Sequence, residues 1–266
     1  MTPGMTMTPL SIERGQGWHR ATLTASANQN KLTPATVEAL WAALLACEAD
    51  PAARALVIEG SGGYFSNGMD LVAAADDASA GDGSGGPGGR RFMELLQRMT
   101  TASVVVISVV DGKASGGGVG LAAASDYVFA TPRSQFSLPE ILWGLLPCVV
   151  APFLIRRVGV QVCQRLTLSS LPIDAAAAQA VGLVDAIDER ALPQLLQRMR
   201  MVAPEAIGKA KRYLSGLWII NEQMRNVALQ ELDSLLAAPE VRQRLTDFAQ
   251  FQRYPWEAQA AAGGKS

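Results

Sequence analysis

The chain is poor in the residues that most often carry nucleophilic, redox or metal chemistry. It has one histidine, His19, which lies beside Trp18 in a segment that alternates like an edge strand. A lone histidine there gives poor support to a Ser-His-Asp relay, so we expect a structural or solvated role. The three cysteines, Cys47, Cys148 and Cys163, are odd in number and lack metal-ligand spacing. This pattern predicts reduced core thiols of a cytosolic protein and no metal site.

Charge and long apolar runs are also scarce. Charged residues make up 18% of the 266 residues, and the net charge is −1. No basic excess supports a nucleic-acid partner, although Arg90-Arg91 and residues 209–212 form small basic clusters. The N-terminus lacks the charged and apolar regions of a signal peptide, and no apolar run reaches the length of a bilayer span. We therefore expect no membrane partner and a cytoplasmic location.

What is present is a globular composition, 49% apolar, with room for a sizeable core. All-apolar segments alternate with segments of helical spacing, which predicts an α/β fold with a parallel, buried sheet. Thr33-Pro34 has the pattern of an N-cap followed by proline at the first helical position. The expected strands lie in residues 10–24, 54–59, 104–110 and 126–130. The expected helices are 35–48, 91–99, 121–124, 191–201, 204–216, 218–237 and 239–252.

Residues 72–90 stand apart in composition. They contain few large apolar groups and are rich in Gly, Ala, Ser and Asp, so they bury too little surface to order firmly. We expect a mobile loop, either one that closes over a bound substrate or a tolerated insertion.

The most informative stretch is the glycine-rich run at residues 114–120, which holds three adjacent glycines at 116–118. It follows the expected strand 104–110 and precedes the apolar stretch 121–124. Bare backbone amides at the start of a helix can hold an oxyanion or a phosphate. No Lys-Ser/Thr pair follows and no acidic ribose-binding residue is suitably placed, which excludes a phosphate cradle and a dinucleotide site.

A second loop, Gly68-Met69-Asp70, also follows a strand. If the two preceding strands are neighbours, both loops emerge at one end of the sheet, and one amide from each can point at the same oxygen. Such an oxyanion hole suits a developing enolate. Close helix–strand packing is the alternative explanation of the glycines.

Glu140 is the candidate acid or base. It lies among apolar residues, with Trp143, Leu145 and Leu146 close behind. A carboxyl group in such surroundings has a raised pKa, which suits proton transfer near neutral pH. The alternative is a solvated glutamate at the start of a helix, which the preceding proline favours.

Four segments in order resemble the crotonase, or enoyl-CoA hydratase/isomerase, superfamily over residues 10–255. They are residues 28–32 (NQNKL), 53–70, 112–130 and 136–147. The resemblance implies a spiral of ββα turns followed by a helical C-terminal region that assembles trimers, often hexamers. We therefore expect a spiral core over residues 1–200 and an oligomerisation region over residues 201–266.

The resemblance also implies roles for individual residues. The oxyanion hole of the family falls on the backbone amides of Met69 and Gly117. The second of the two glutamates of the family's hydratases matches Glu140, whereas the first falls on Gly120. A missing carboxylate at Gly120 argues against ordinary hydration of straight-chain enoyl-CoA.

Within the superfamily, the chain is similar to the dehydratases of polyketide β-branching cassettes, which act in antibiotic biosynthesis. The similarity lies in residues 112–114, 118–120, 135–138, 144–147 and 151–159. It implies conversion of a 3-hydroxy-3-methylglutaryl-type thioester on an acyl carrier protein to a 3-methylglutaconyl-type thioester. Glu140 would act first as base and then as acid in a syn elimination, and its presence argues against the decarboxylases of the same pathway.

The implied substrate is held by the phosphopantetheine arm of an acyl carrier protein or by CoA, and we expect no other cofactor. Its free carboxylate needs a donor. The candidates are Lys113, Tyr64, Arg90 and Arg91, and for each cation a solvated charge is the alternative.

Two other functions stay open. One is an isomerase or hydratase of acyl-CoA metabolism. The other is a non-catalytic protein that binds an acyl thioester or a protein partner. Glu140 beside two intact loops speaks against the second, because a pure binder needs no buried carboxylate.

Overall fold

The computed structural model describes residues 9–69, 86–217 and 221–257. Most of the segment expected to be a mobile loop, 72–85, lies outside the described residues, and 86–90 begin a helix. The strands are β1 (Leu10–Gly15), β2 (Trp18–Leu23), β3 (Ala55–Gly60), β4 (Tyr64–Ser66), β5 (Val105–Val110), β6 (Lys113–Ser115), β7 (Tyr127–Ala130), β8 (Gln135–Ser137) and β9 (Ile173–Asp174). The α-helices are α1 (Pro34–Ala49), α2 (Gly86–Thr101), α3 (Gly117–Ala124), α4 (Ala151–Ser169), α5 (Ala175–Ala180), α6 (Ala191–Met199), α7 (Pro204–Gly216), α8 (Glu222–Ala237) and α9 (Pro239–Phe251). Short 3₁₀ turns occupy Ser26–Asn28 and Glu140–Trp143.

The larger sheet has five strands in the order β1-β2-β3-β5-β7. β2, β3, β5 and β7 run parallel to one another, and β1 is antiparallel to β2. Alternate residues of β3 pack in two different apolar clusters. Leu56 and Ile58 pack in the main core, whereas Ala55 and Val57 pack in a second cluster. The sheet is thus buried on both faces, as the apolar strands predict.

β2 is an interior strand, so the expected edge placement of His19 is wrong. Its neighbours β1 and β3 cover both sides of it. His19 is 2% exposed, and its Nε2 lies 2.9 Å from Oδ2 of Asp50. The ring therefore joins the sheet to the end of α1, which is a structural role.

α1 begins as its sequence predicts. The backbone N–H of Thr36 donates to Oγ1 of Thr33 at 3.2 Å, which caps the helix. Val37, Leu40 and Leu44 are buried, but Leu45 is 44% exposed, contrary to its expected place on the apolar face. Residue 45 follows Leu44 by about 100° of helical turn, which carries it past the edge of the buried stripe.

A second, smaller sheet was not anticipated. Its four strands lie in the order β4-β6-β8-β9, and each has only two or three residues. β4, β6 and β8 are parallel, and β9 is antiparallel to β8. Segments this short carry no measurable periodicity. The three loops that follow β4, β6 and β8 form the candidate site.

The C-terminal half is helical, as expected. Leu229, Leu232 and Leu236 of α8 and Val241 and Leu245 of α9 join the main core. The expected assembly of this region into trimers or hexamers stays a prediction. No helix in the described part of the chain has the length and apolar character needed to cross a membrane.

Candidate active site

The glycine run forms the N-terminus of α3. Gly116 is the N-cap, and the helix starts at Gly117, inside the run, rather than at Leu121 as expected. A Cβ on Gly118 would lie 2.3 Å from the carbonyl oxygen of Ser66. Close packing therefore requires glycine at position 118, which supports the packing explanation of the run.

The two loops expected to meet do meet, although they follow the short strands β4 and β6 rather than β3 and β5. A Cβ on Gly68 would lie 2.8 Å from the backbone nitrogen of Gly117. Gly68 has φ +78°, and its carbonyl oxygen accepts from the backbone N–H of Leu32 at 2.8 Å. This bond fixes the backbone at Gly68. Met69 therefore directly follows a residue that contacts Gly117.

The amides of these loops are available to a ligand. Gly117 is the first residue of α3, where a backbone N–H has no acceptor within the helix. Among the described residues, neither Met69 nor Gly117 donates its backbone N–H to an acceptor. Each of the two adjoining loops therefore has one backbone N–H for which no acceptor is found in the described residues.

Glu140 reaches the same place from the third loop. The backbone N–H of Gly116 donates to the carbonyl oxygen of Ser137 at 3.0 Å, which ties the end of β8 to the glycine run. A Cβ on Gly116 would lie 3.0 Å from Oε1 of Glu140. The carboxyl group is therefore beside the N-cap of α3, one residue from Gly117.

The environment of this carboxyl group is apolar. Glu140 as a residue keeps some exposure, but its Oε2 is buried and no hydrogen bond to it is present among the described residues. Burial raises the pKa of Glu140 to about 7, against a small opposing effect of its own backbone amide. The group can take up and release a proton near neutral pH, and it is not the solvated glutamate of the alternative explanation.

A side chain at position 120 would crowd its neighbours. Gly120 lies one turn into α3, and a Cβ there would be 2.8 Å from Cγ2 of Val150 and 3.5 Å from Cδ1 of Leu96. The space that a longer side chain would need is filled by these two apolar groups.

The structure separates the four candidate carboxylate donors. Lys113 is exposed on β6, with its Nζ 6.0 Å from the ring centre of Tyr64 on β4. Arg91 is engaged by Glu38, whose Oε2 lies 3.1 Å from the guanidinium. Arg90 is exposed on α2. Lys113 and Tyr64 are thus brought together, on strands that lead into the site.

Two features near the site escaped the sequence reasoning. A polar pocket of about 220 Å³ lies against β6 and β8, where Ser115 and Ser137 sit at adjoining strand ends. No signal in the sequence could have found it, because β6 and β8 have only three residues each. Cys148 also lies near Glu140. Burial, with the negative charges of Glu231 and Glu140, raises the pKa of the Cys148 thiol to about 11, so it is not a nucleophile at neutral pH.

Comparison with known proteins gives a consistent assignment. The family model described as enoyl-CoA hydratase/isomerase matches residues 13–242. The 2,3-dehydroadipyl-CoA hydratase of Escherichia coli is 33% identical over 251 residues, which cover 89% of this chain and 93% of that protein. The bacillaene synthase dehydratase PksH of Bacillus subtilis is 33% identical over 169 residues, 62% of this chain.

The alignments with two of these relatives are partial. The chain spans 65% of the length of PksH and 63% of an enoyl-CoA hydratase relative from Thermus thermophilus. At the level of structure the similarity extends over most of the chain. The crystal structure of pksH from Bacillus subtilis superimposes with a TM-score of 0.86 at 26% identity, covering 94% of this chain and all of that one.

The raised pKa of Glu140 predicts a pH-dependent cost in stability. A glutamate with a pKa of 4.5 in the unfolded chain and about 7 in the folded one binds its proton more tightly when folded. Wild-type protein therefore loses about 3 kcal/mol relative to Glu140→Gln as the pH rises from about 4.5 to above 7. Urea unfolding of both proteins across this range measures the difference, with Glu189→Gln as a surface control. A difference that does not change with pH would contradict the buried, protonated carboxyl group.

The tight contact of Gly120 with Val150 predicts strong coupling between the two positions. Gly120→Ala forces a methyl group against a stiff, β-branched side chain and should lower the free energy of unfolding by about 1–3 kcal/mol. Adding Val150→Ala removes the opposing methyl groups, so the double variant should be more stable than the sum of the single effects predicts. A double-mutant cycle by chemical unfolding measures this coupling. Strict additivity would show that position 120 has free space.

Proposed function

The chain belongs to the enoyl-CoA hydratase/isomerase family, and from this we propose that it is a hydro-lyase that dehydrates a 3-hydroxyacyl thioester. More specifically, we propose a 3-hydroxy-3-methylglutaryl-type thioester as substrate and a 3-methylglutaconyl-type thioester as product. The observation that carries the proposal is the single buried carboxyl group of Glu140 beside two free backbone amides. The acyl group would be held on the phosphopantetheine arm of an acyl carrier protein or on CoA.

The first step is removal of a proton from C2 of the acyl group. The thioester oxygen accepts hydrogen bonds from the amides of Met69 and Gly117, which makes the C2–H bond more acidic. Glu140 takes the proton in its ionised form, and negative charge moves onto the oxygen. Each amide contributes about 3 kcal/mol to stabilising the enolate-like state.

The second step is loss of the C3 hydroxyl group. The C2–C3 double bond forms as the electron pair returns from the enolate, and the C3–O bond breaks. Glu140 now carries the abstracted proton and donates it to the departing oxygen, so that water leaves. Position 120, which matches the other glutamate of the family's hydratases, is a glycine packed against Val150, so Glu140 serves both steps in this scheme and the elimination is syn.

A pKa near 7 suits both halves of this cycle. A group with an ordinary glutamate pKa would be a weaker base and would abstract the C2 proton more slowly. Burial of Glu140 raises its basicity and, once it is protonated, leaves it an effective acid at the same pH. The relative named a bacillaene synthase dehydratase supports the direction of the reaction.

A second candidate is hydration or isomerisation of a CoA thioester. The Escherichia coli 2,3-dehydroadipyl-CoA hydratase favours it, because that relative aligns over 93% of its length. Because hydration is the reverse of dehydration, a single carboxyl group at Glu140 serves either direction, and the thioester that the protein turns over decides between the two. A purely binding role is disfavoured by the cost of keeping Glu140 buried.

Water loss from the loaded substrate tests the proposal. Purified protein is incubated with the 3-hydroxy-3-methylglutaryl group on an acyl carrier protein, and in parallel on CoA, and the products are followed by mass spectrometry. We expect the mass of one water to be lost, with a rate that rises with pH and levels off above about 7 because Glu140 must be ionised.

Glu140→Gln should lower this rate by about 10²–10⁴-fold, whereas Glu189→Gln, at an exposed position, serves as the matched control. Near-normal turnover by Glu140→Gln would sink the one-carboxylate mechanism. Water loss from the CoA thioester alone would assign the protein to CoA metabolism.

A further inference from the structure

The polar pocket lies on the side of the second sheet that faces away from the main core. Lys113 pairs with Gln135, and Ser115 pairs with Ser137, across β6 and β8. Residues paired in this way present their side chains on the same face, whereas Ala114 between them packs in the main core. These four polar residues line the pocket together with Asn67, Ala114 and Pro172.

The pocket carries the positive charge of Lys113, which no carboxylate of the described residues pairs with. Asp111, two residues before Lys113, is engaged by Arg133. Asp174, opposite Gln135, turns away to accept from the backbone N–H of Ala177 at 2.8 Å. Within the described parts of the chain Lys113 makes no ion pair, and its Nζ lies 6.0 Å from the centre of the Tyr64 ring.

A hydroxyl group is also ready to donate into the pocket. Oγ of Ser137 donates to Oγ of Ser115 at 3.2 Å. The acceptor role leaves the hydroxyl hydrogen of Ser115 for a ligand, and Ser115 is only 9% exposed. An ammonium group and a partly buried hydroxyl on one face are the donors that a carboxylate takes.

The pocket is within reach of the reacting atoms. Asn67 precedes Met69 by two residues, Ser115 precedes Gly117 by two, and Ser137 precedes Glu140 by three. Even a fully extended chain separates these residues by no more than about 7–11 Å. A five-carbon acyl chain with a hydrogen bond at each end spans a comparable distance.

We propose that this pocket binds a second carboxylate, at the far end of the acyl group, and so selects thioesters of dicarboxylic acids. Lys113 supplies the charge and Ser115 supplies the directed hydrogen bond. The inference rests on the proposed function and specifies the substrate class of the same site.

Binding measured without turnover tests the pocket separately from the reaction. In the Glu140→Gln background, dissociation constants are measured by calorimetry for 3-hydroxy-3-methylglutaryl-CoA and for 3-hydroxy-3-methylbutyryl-CoA, which lacks the carboxylate. Adding Lys113→Met should weaken binding of the first ligand about 10- to 100-fold, as expected for loss of a hydrogen-bonded charge. Binding of the second ligand should change less than about twofold, within the range of substitutions that remove no contact.

Two further variants complete the test. Ser115→Ala should also weaken only the dicarboxylic ligand, by about 3- to 10-fold, as for a neutral hydrogen-bond donor. Lys209→Met, at an exposed position of α7, is the matched control for loss of a lysine charge and should affect neither ligand.

Equal weakening of both ligands by Lys113→Met, no weakening of the dicarboxylic ligand, or no preference for it in the parent protein would each overturn the proposal. Because these measurements need no turnover, carboxylate selection without water loss from the wild-type protein would preserve the pocket and reject the dehydratase. Water loss from the wild-type protein without carboxylate selection would preserve the dehydratase and reject the pocket.

Discussion

The site depends on keeping one carboxyl group out of water. Glu140 is held among apolar residues with its Oε2 buried, and this burial moves its pKa to about 7. A surface glutamate would be fully ionised at that pH and a poor acid, whereas this one can carry a proton in both directions. The cost is lower stability above neutral pH, which is the usual consequence of building a reactive group into a folded interior.

The small sheet and the glycines bring three loops together around the carboxyl group of Glu140. β4, β6 and β8 end side by side, and the chain after each turns into the same space. Gly68 and Gly118 allow backbone contacts that any side chain would block, since a Cβ on either would lie less than 3.0 Å from a backbone atom. The backbone therefore supplies the donors, and the identity of the side chain at Met69 matters little. The same strands present Lys113 and Ser115 to the other end of the proposed substrate.

The sequence predicts much of the fold and of the candidate site, and the features that it does not predict depend on contacts between distant segments. Long apolar strands and a capped helix at Thr33 have strong local signals, and they are confirmed. The meeting of the two loops followed from strand adjacency, although the strands that matter are the three-residue β4 and β6. Whether a strand lies at the edge of a sheet depends on which strands pair with it, and one sequence does not show this. The predicted edge placement of His19 was therefore wrong. The polar pocket depends on cross-strand register, which one sequence does not reveal.

The central claim is that Glu140 and the two amides generate an enolate, independently of which group then leaves. It is tested most directly with 3-methylglutaryl-CoA, which has no C3 hydroxyl to lose, incubated with the protein in D₂O. The account predicts that deuterium enters at C2, detected by NMR, with wild-type protein, and that Glu140→Gln exchanges no faster than the protein-free solution. Exchange at the wild-type rate in Glu140→Gln, or none in either protein, would contradict it.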